Sequence, residues 1–193
     1  MISMQHIVSF VGHHESGKTT LLKRLIPILV ERGLRVGTVK HISSEMDVDK
    51  QGKDTYWHRQ AGAESSLAIS GSSCALFWDN NTDEQIDLMI RRLFSGYDIV
   101  LVEGFKHGPF PKIEVYRQTS TTRAEPLADE IDIVAVVTDK CIAVPDGVAI
   151  LSPHKPEEVA DFLLEMFSQE NSDERKDSRE SGVGSRESKN GDA

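Results

Sequence analysis

An eight-residue segment near the start of the chain carries the most recognisable chemistry in this sequence. It runs from Gly12 to Thr19 and fits the pattern G-x-x-x-x-G-K-[ST] at every fixed position. Such a loop binds phosphate because its backbone N–H groups point inward and the following helix adds its positive N-terminal end. Lys18 is expected to reach the β- and γ-phosphates, and the Thr19 hydroxyl to ligate Mg²⁺. The predicted nucleotide-binding residues of this segment are Gly12, His13, His14, Glu15, Ser16, Gly17, Lys18, Thr19 and Thr20.

The residues on either side of this loop predict the two elements that it must join. The apolar run 7–11 is typical of a buried strand, and 21–26 has the composition of a helix. A chance glycine-rich turn would have no reason to lie between a strand and a helix. The sequence therefore predicts a P-loop that binds a nucleoside triphosphate.

Two acidic side chains are candidates for binding the accompanying metal ion. Glu103 closes the apolar run 99–102, where it could hold a metal-bound water or orient an attacking one, or could simply be a polar strand end. Asp54 follows a polar stretch, 41–53, that we interpret as a loop able to approach the γ-phosphate. Asp54 could also be the N-cap of the next helix. We predict Glu103 and Asp54 as catalytic residues, and Thr19, Asp54 and Glu103 as metal ligands.

A third predicted strand end could select the nucleotide base. Thr138 and Asp139 follow the apolar run 131–137. A carboxylate there could accept the N1–H and 2-amino protons of guanine, whereas adenine would oppose it with an acceptor at N1. The usual guanine motif [N/T]-K-x-D is absent here, and a plain turn is the alternative interpretation. We predict Thr138 and Asp139 as base-binding residues.

The histidines of this chain are dispersed. Lys40 and His41 end a predicted strand, and together with His58 they could form an anion-binding patch near the phosphates. No paired cysteines or i,i+4 histidine pairs are present, so a metal cluster is not expected.

Composition and charge narrow the class of partners. The formal net charge of −9 over 193 residues argues against a broad nucleic-acid-binding surface, which needs basic residues. No apolar stretch approaches the roughly 18 residues of a membrane helix, and the first residues do not resemble a signal peptide. We therefore expect a cytoplasmic protein that binds neither nucleic acid nor membrane. Cys74 and Cys141 lie far apart in apolar surroundings and are expected to be small core residues.

Alternating strands and helices predict the fold class. We expect an α/β P-loop NTPase with a mostly parallel central sheet flanked by helices, plus a small insertion consisting of a hairpin at 66–70 and 74–78 and an edge strand at 113–116. A helix from Thr82 to Phe94 would place four apolar residues on its inner face: Ile86, Met89, Ile90 and Leu93. The other predicted elements are strands at 5–11, 34–40, 98–103, 131–137 and 148–151 and helices at 17–32, 54–61 and 156–167.

The chain is expected to form one nucleotide-binding domain over 1–168. Residues 169–193 consist of serine, glycine and mixed charges with one lone valine. Such a segment cannot bury enough apolar surface to order itself, so we predict a disordered tail.

Several motifs occur in an order that makes the whole chain recognisable. The P-loop is followed by 38–41 (Thr-Val-Lys-His), 49–55 (Asp-Lys-Gln-Gly-Lys-Asp-Thr), 102–106 (Val-Glu-Gly-Phe-Lys) and 111–115 (Pro-Lys-Ile-Glu-Val). This arrangement closely resembles the molybdopterin-guanine dinucleotide biosynthesis protein B family (MobB) over about residues 5–165. The resemblance implies a homodimeric P-loop protein that binds GTP and hydrolyses it slowly.

The resemblance also implies partners and residue roles. The partner would be the guanylyltransferase that joins GMP to molybdopterin, with molybdopterin or a molybdoenzyme as further candidates. By position, Gly17, Lys18 and Thr19 would bind phosphate and Mg²⁺, and Asp54 and Glu103 would belong to the metal and switch region. After Lys-His the family usually has further histidines, whereas this chain has serine and glutamate at 43–45.

Two other functions compete with the adapter interpretation. A small P-loop kinase would use the same loop, but a kinase normally has a lid with several arginines, and the arginines here are scattered. A metal-insertion GTPase would need histidine- or cysteine-rich segments. The sequence therefore favours a GTP-binding adapter that is at most a slow GTPase and does not itself transfer the guanylyl group.

Overall fold

A computed structural model describes residues 6–42, 49, 51–78, 83–117, 125–127 and 131–180 of the chain. That part of the chain contains a central sheet, a separate hairpin and four helices. In chain order the elements are β1 (His6–Val11), α1 (Lys18–Glu31), β2 (Val36–Lys40), α2 (Asp54–Gln60), β3 (Ser65–Ile69), β4 (Cys74–Trp78), α3 (Asp83–Leu93), β5 (Ile99–Glu103), β6 (Lys112–Val115), β7 (Ala135–Val137), β8 (Ala149–Leu151) and α4 (Pro156–Glu180).

The central sheet has six strands in the order β2-β5-β1-β6-β7-β8, and every neighbouring pair is parallel. The P-loop strand β1 therefore lies in the interior, with β5 on one side and β6 on the other. Because all six strands run the same way, the segments that follow them meet at one edge of the sheet. This confirms the predicted α/β class with a mostly parallel sheet.

Alternate residues of the buried strands pack against helices on opposite faces. In β1, Val8 and Phe10 belong to the cluster that includes α1 and α4 residues such as Leu25 and Leu163. Val100 and Val102 of β5 belong to the cluster that includes Ile86 and Ile90 of α3. Two-faced burial explains why the central strands have almost continuous apolar sequences.

The predicted edge strand at 113–116 is wrong about its place in the sheet. β6 pairs with β1 on one side and with β7 on the other, and Ile113 is fully buried. Glu114 is the charged residue of this interior strand. Its side chain is fully buried, and one carboxylate oxygen accepts a hydrogen bond from the Leu127 backbone N–H at 2.8 Å.

The prediction that both cysteines are core residues is also wrong. Cys74 and Cys141 are free and exposed. Cys74 lies on β4, and the β3–β4 hairpin forms its own two-stranded antiparallel sheet apart from the central sheet. The apolar residues around Cys74 in sequence therefore lie on a hairpin surface and not in the core.

Of the four residues predicted on the inner face of α3, Ile86 and Ile90 are buried and Met89 is partly buried, but Leu93 is exposed. Leu93 is 52% exposed. Phe94, one residue further, packs against the α3 cluster, and a Cβ on Gly37 would overlap its ring. Thr82, the predicted cap of this helix, lies outside the described residues.

The last helix is longer than predicted. α4 continues past Phe167 to Glu180, so residues 169–180 of the predicted tail are helical. No proline or glycine interrupts this stretch, which is rich in glutamate, arginine and lysine, residues with favourable helix propensity. Residues 181–193 lie outside the described part. Across the described residues, no helix combines the length and apolarity needed to cross a bilayer.

Candidate nucleotide-binding site

The segment between β1 and α1 has the backbone of a phosphate-binding loop. Gly12, Glu15 and Gly17 have positive φ values of 141°, 59° and 96°. Gly17 is the N-cap of α1, and its carbonyl accepts the first helical hydrogen bond, from Leu21 N at 2.9 Å. A Cβ on Gly12 would overlap the carbonyl oxygen of Val115, so this position requires glycine. Residues with positive φ at these positions turn the backbone N–H groups of the loop toward one concavity, as in an anion-binding nest.

Lys18 lies over this loop. Its Nζ donates to the carbonyl oxygens of Gly12 at 2.9 Å and His13 at 2.6 Å and to Ser16 Oγ at 3.3 Å. Burial lowers the pKa of the Lys18 ammonium below its ordinary value; nearby Lys40 lowers it further, and Glu103 opposes that effect. An incoming phosphate would offer this half-buried cation anionic acceptors in place of neutral ones.

Thr19 and Glu103 are brought together by neighbouring strands. Thr19 Oγ1 donates to Glu103 Oε1 at 2.7 Å, and the Lys40 ammonium is hydrogen-bonded to the same oxygen. Burial alone would raise the pKa of Glu103, but the hydrogen bonds from Lys40 and Thr19 hold that pKa below its ordinary value. The carboxylate is therefore ionised and close to the predicted metal-binding hydroxyl.

These residues fit a Mg²⁺–nucleotide complex. Mg²⁺ usually keeps several waters and takes only one or two protein ligands beside the phosphates, which matches a threonine hydroxyl and one carboxylate. Among the residues that the structure describes, no group of three or more His, Cys, Asp and Glu forms a self-sufficient metal site.

Asp54 is placed differently from Glu103. It is the first residue of α2 and is exposed, and it does not line the cavities described below. The alternative role as N-cap is wrong, since Lys53 occupies the cap position. An acidic residue in the first turn still interacts favourably with the helix dipole. Its role in metal binding stays a prediction.

A basic cavity of about 620 Å³ opens beside the P-loop on the Glu103 side. Its lining includes lysine and histidine side chains from three segments, although the chain as a whole is acidic. The lining residues are Val11, Gly12, His14, Lys18, Lys40, His41, Ile42, Gly104, Phe105, Lys106, His107 and Leu127. Lys40 and His41 thus lie together beside the P-loop, whereas His58 is not part of this lining, and the anion-binding role of the patch stays a prediction. The His41 ring stacks on Phe105 with centroids 4.8 Å apart.

The variable positions of the loop face different surroundings. His13 Nε2 is hydrogen-bonded to the Glu125 carbonyl oxygen at 3.1 Å, which ties the loop to the segment 125–127. The side chains of His14 and Glu15 are 94% and 84% exposed and lie 3.9 Å apart. These two are available to solvent or ligand, and their predicted contact with nucleotide stays a prediction.

A second cleft, of about 90 Å³, lies on the opposite side of the P-loop. It is formed by the end of the loop, the start of α1 and the segments that follow β6, β7 and β8. The lining residues are Ser16, Gly17, Thr20, Leu21, Arg24, Val115, Tyr116, Arg117, Val137, Asp139, Pro153 and His154. Asp139 is exposed in this cleft, whereas Thr138 is buried and its Oγ1 accepts a hydrogen bond from Lys140 N at 3.1 Å. The structure therefore places Asp139 beside Thr20 of the P-loop helix.

Two residues near the site have positions that the sequence did not predict. Asp49 is 6% exposed and accepts hydrogen bonds from Thr55 Oγ1 at 2.8 Å and Arg59 Nη1 at 3.2 Å, so it anchors α2. Asp49 begins the recognised segment 49–55, but nothing in that segment indicates that its carboxylate is buried against α2. Arg117 lines the second cleft. Its position was not predicted because the strand before it was expected at the edge of the sheet.

The fold is that of a P-loop protein: a six-stranded parallel sheet has a nest after its interior strand, a lysine over the nest and a Thr–Glu pair beside it. The family model "Molybdopterin guanine dinucleotide synthesis protein B" matches residues 7–139. The chain belongs to this family, MobB.

Relatives and solved structures agree with this assignment. The "Molybdopterin-guanine dinucleotide biosynthesis adapter protein" of Escherichia coli (strain K12) is 38% identical over 172 residues, covering 88% of this chain and 97% of the relative. The protein of the same description from Haemophilus influenzae is 34% identical over 158 residues, covering 81% and 86%. A crystal structure of molybdopterin-guanine biosynthesis protein B is 31% identical with a TM-score of 0.62, covering 83% of this chain and 99% of that one. Bacillus subtilis MobB is 26% identical with a TM-score of 0.60, covering 83% and 96%.

Proposed function

We propose that this protein is a cytoplasmic GTP-binding adapter in the formation of molybdopterin guanine dinucleotide. It binds GTP with Mg²⁺ at the P-loop, hydrolyses GTP slowly, and assists the guanylyltransferase without transferring the guanylyl group itself. The observation that carries the proposal is the phosphate nest with Lys18 above it and the Thr19–Glu103 pair beside it. The relatives described as adapter proteins support the pathway.

The choice of GTP over ATP rests on the cleft that contains Asp139. This cleft adjoins Thr20, at the end of the P-loop where the α-phosphate and the nucleoside would follow. An exposed carboxylate there could accept both the N1–H and the 2-amino protons of guanine, whereas adenine would place its N1 acceptor against the carboxylate. Asp139 is thus the proposed base-reading residue, and Thr138 supports its turn.

Slow hydrolysis is expected because, in the part of the chain that the structure describes, no arginine lines the γ-phosphate side of the loop. The described residues that line the basic cavity include three lysines and three histidines but no arginine. An arginine that stabilises the transition state accelerates GTP hydrolysis by roughly 10³–10⁵-fold. The proposed metal and switch residues are Glu103, Thr19 and Asp54. They can hold the metal ion but do not supply the positive charge of such an arginine.

The test of adapter against enzyme uses labelled GTP with the purified protein alone. Incubation with a panel of pterin and nucleoside acceptors should show slow release of phosphate and no transfer of label to any acceptor. Rapid transfer by this protein alone would establish a phosphotransferase. Pull-down of the guanylyltransferase with the tagged chain, with molybdopterin or a molybdoenzyme as further candidates, tests the partner. Lack of any guanylyltransferase association would contradict the adapter role.

The proposed homodimer rests on one face of the β3–β4 hairpin. Alternation in the hairpin register places Leu67 opposite Leu76 and Ile69 opposite Cys74 on the same face. Leu67, Ile69 and Leu76 are 53%, 76% and 42% exposed, and Trp78 of the same face is 44% exposed. A two-stranded hairpin is marginally stable alone, and an exposed apolar face of this kind marks an interaction surface. A second copy could cover it with the same face about a two-fold axis.

Light scattering during size-exclusion chromatography tests the dimer. Ile69→Asp should convert the dimer to monomer because it places a charge in the centre of an apolar interface. Leu88→Asp is the matched control, since Leu88 is 49% exposed and belongs to α3, not to the hairpin. A monomeric wild-type chain, or a dimer unaffected by Ile69→Asp, would contradict the proposal.

A further inference from the structure

The segment after β8 is held in place by one arginine of the P-loop helix. Arg24 Nη1 donates to the Pro153 carbonyl oxygen at 2.9 Å, and Arg24 Nη2 donates to the next carbonyl oxygen, that of His154, at 2.9 Å. The planar guanidinium thus spans two successive backbone carbonyls, a two-pronged geometry that a lysine ammonium cannot reproduce. Arg24 lies on α1 four residues after Thr20, so it links the phosphate-binding helix directly to this segment.

The held segment forms one wall of the cleft that contains Asp139. Pro153 and His154 line the cleft together with Asp139 and Thr20. The backbone also ties the two walls, because Thr138 N donates to the Leu151 carbonyl oxygen at 2.9 Å. The position of Pro153 and His154 relative to Asp139 therefore depends on this β7–β8 contact and on Arg24.

We propose that Arg24 is a positioning residue for base selection. It turns the carbonyl oxygens of Pro153 and His154 toward α1 and thereby withdraws two hydrogen-bond acceptors from the base. This inference rests on the proposed GTP binding and deepens it.

The chemistry of the two purines explains why the direction of these carbonyls matters. Guanine carries a carbonyl at position 6, which repels a second acceptor, whereas adenine carries an amino group there, which a free backbone carbonyl would welcome. When the guanidinium engages these carbonyls, the wall is compatible with guanine and has no free acceptor for the 6-amino group of adenine. Asp139 recognises the N1 and 2-amino edge, and Arg24 acts on the other side through the backbone.

The proposal predicts how base preference changes when the fork is lost. In Arg24→Ala, GTP should bind more weakly and ATP relatively better. The dissociation constant for ATP divided by that for GTP should fall by roughly tenfold, the scale expected for one charge-assisted hydrogen bond. Inorganic triphosphate should bind as it does to the wild type, because the phosphate nest is untouched. Arg24→Lys should lose discrimination almost as fully as Arg24→Ala, because the charge alone cannot engage both carbonyls.

Arg32→Ala is the matched control. Arg32, at the C-terminal end of α1, forms an ion pair of Nη2 with Asp161 Oδ1 of α4 at 2.7 Å, but it does not line the cleft. This variant should lose an arginine contact between α1 and the C-terminal part of the chain and keep its base preference. Circular dichroism and melting curves would show that each variant is folded, and Arg24→Gln serves if Arg24→Ala is not.

Isothermal titration with GTP, ATP and inorganic triphosphate at constant Mg²⁺ separates the outcomes. If Arg24→Ala weakens all three ligands equally, or if Arg24→Lys restores wild-type discrimination, Arg24 acts as a phosphate-binding charge and the inference is overturned. A wild-type protein that binds GTP and ATP equally would refute the guanine preference of the proposed function itself. A wild-type preference retained in Arg24→Ala would refute only the role of Arg24.

Discussion

Removal of the Lys18 ammonium is the sharpest test of the phosphate site. Lys18 Nζ donates hydrogen bonds to the carbonyl oxygens of Gly12 and His13 at 2.9 and 2.6 Å. Phosphate binding would exchange these neutral acceptors for charged ones. Lys18→Ala should therefore remove the charged contact with phosphate and leave most of the fold unaffected.

The size of the expected loss follows from the contact with phosphate. A hydrogen bond to a charged group contributes about 1.5–3 kcal/mol, so loss of one such bond from Lys18 to phosphate should cost about that much. This corresponds to a dissociation constant for GTP that is roughly 10- to 150-fold larger. The core contacts of α1 are made by Leu21, Leu22, Leu25 and Leu29, none of which is changed.

The assay is calorimetric titration of GTP and Mg²⁺ into a variant whose circular dichroism matches the wild type. Lys23→Ala is the control, because Lys23 has the same side chain on the exposed face of the same helix. Unchanged GTP affinity in a folded Lys18→Ala protein would show that the loop is not the binding site. An equal loss in Lys23→Ala would show a general effect of charge.

Three further predictions concern other parts of the molecule. Asp139→Asn should weaken GTP about tenfold or more and improve XTP, since the amide can donate to the 2-carbonyl of xanthine; competition binding of GTP, ATP and XTP measures this, and an unaltered GTP affinity would contradict it. Truncation after Ser168 should leave the melting temperature and GTP affinity unchanged, because the last buried residue of α4 described is Phe167; a melting point several degrees lower would refute it. Glu103→Gln should lower stability in urea at neutral pH and match the wild type in acid. The pKa of Glu103 is lower in the folded protein than its ordinary value of 4.5, so the ionised carboxylate stabilises the fold above pH 4.5. That stabilisation is lost as the pH falls through the folded-state pKa. A difference that persists in acid would show that packing, not charge, is responsible.

Local patterns predicted the elements of the site whose chemistry is contained in one segment. The P-loop has all its fixed residues within 12–19, and Glu103 closes a strand with four apolar residues before it. Both were found because buried parallel strands and glycine-rich turns have distinctive local sequences.

Long-range placement was predicted less well. Glu114 looks like an exposed residue in sequence, and it is buried because the Leu127 N–H, thirteen residues away, satisfies it. The hairpin residues around Cys74 look like core, and only the absence of a central-sheet partner makes them exposed. Arg24 is one of several scattered arginines until the fold brings the segment after β8 to it. Each of these depends on a partner that no local pattern specifies.

The strand order has a consequence for how this protein can diverge. Glu103 and Lys40 come from β5 and β2, on one side of the P-loop strand, whereas Asp139 and the wall at 153–154 follow β7 and β8 on the other. Substitutions that lie far apart and share no partner usually have additive effects on free energy. The proposed metal site and the proposed base site can therefore be altered separately by mutation, whereas Lys18 and the glycines of the loop would serve both.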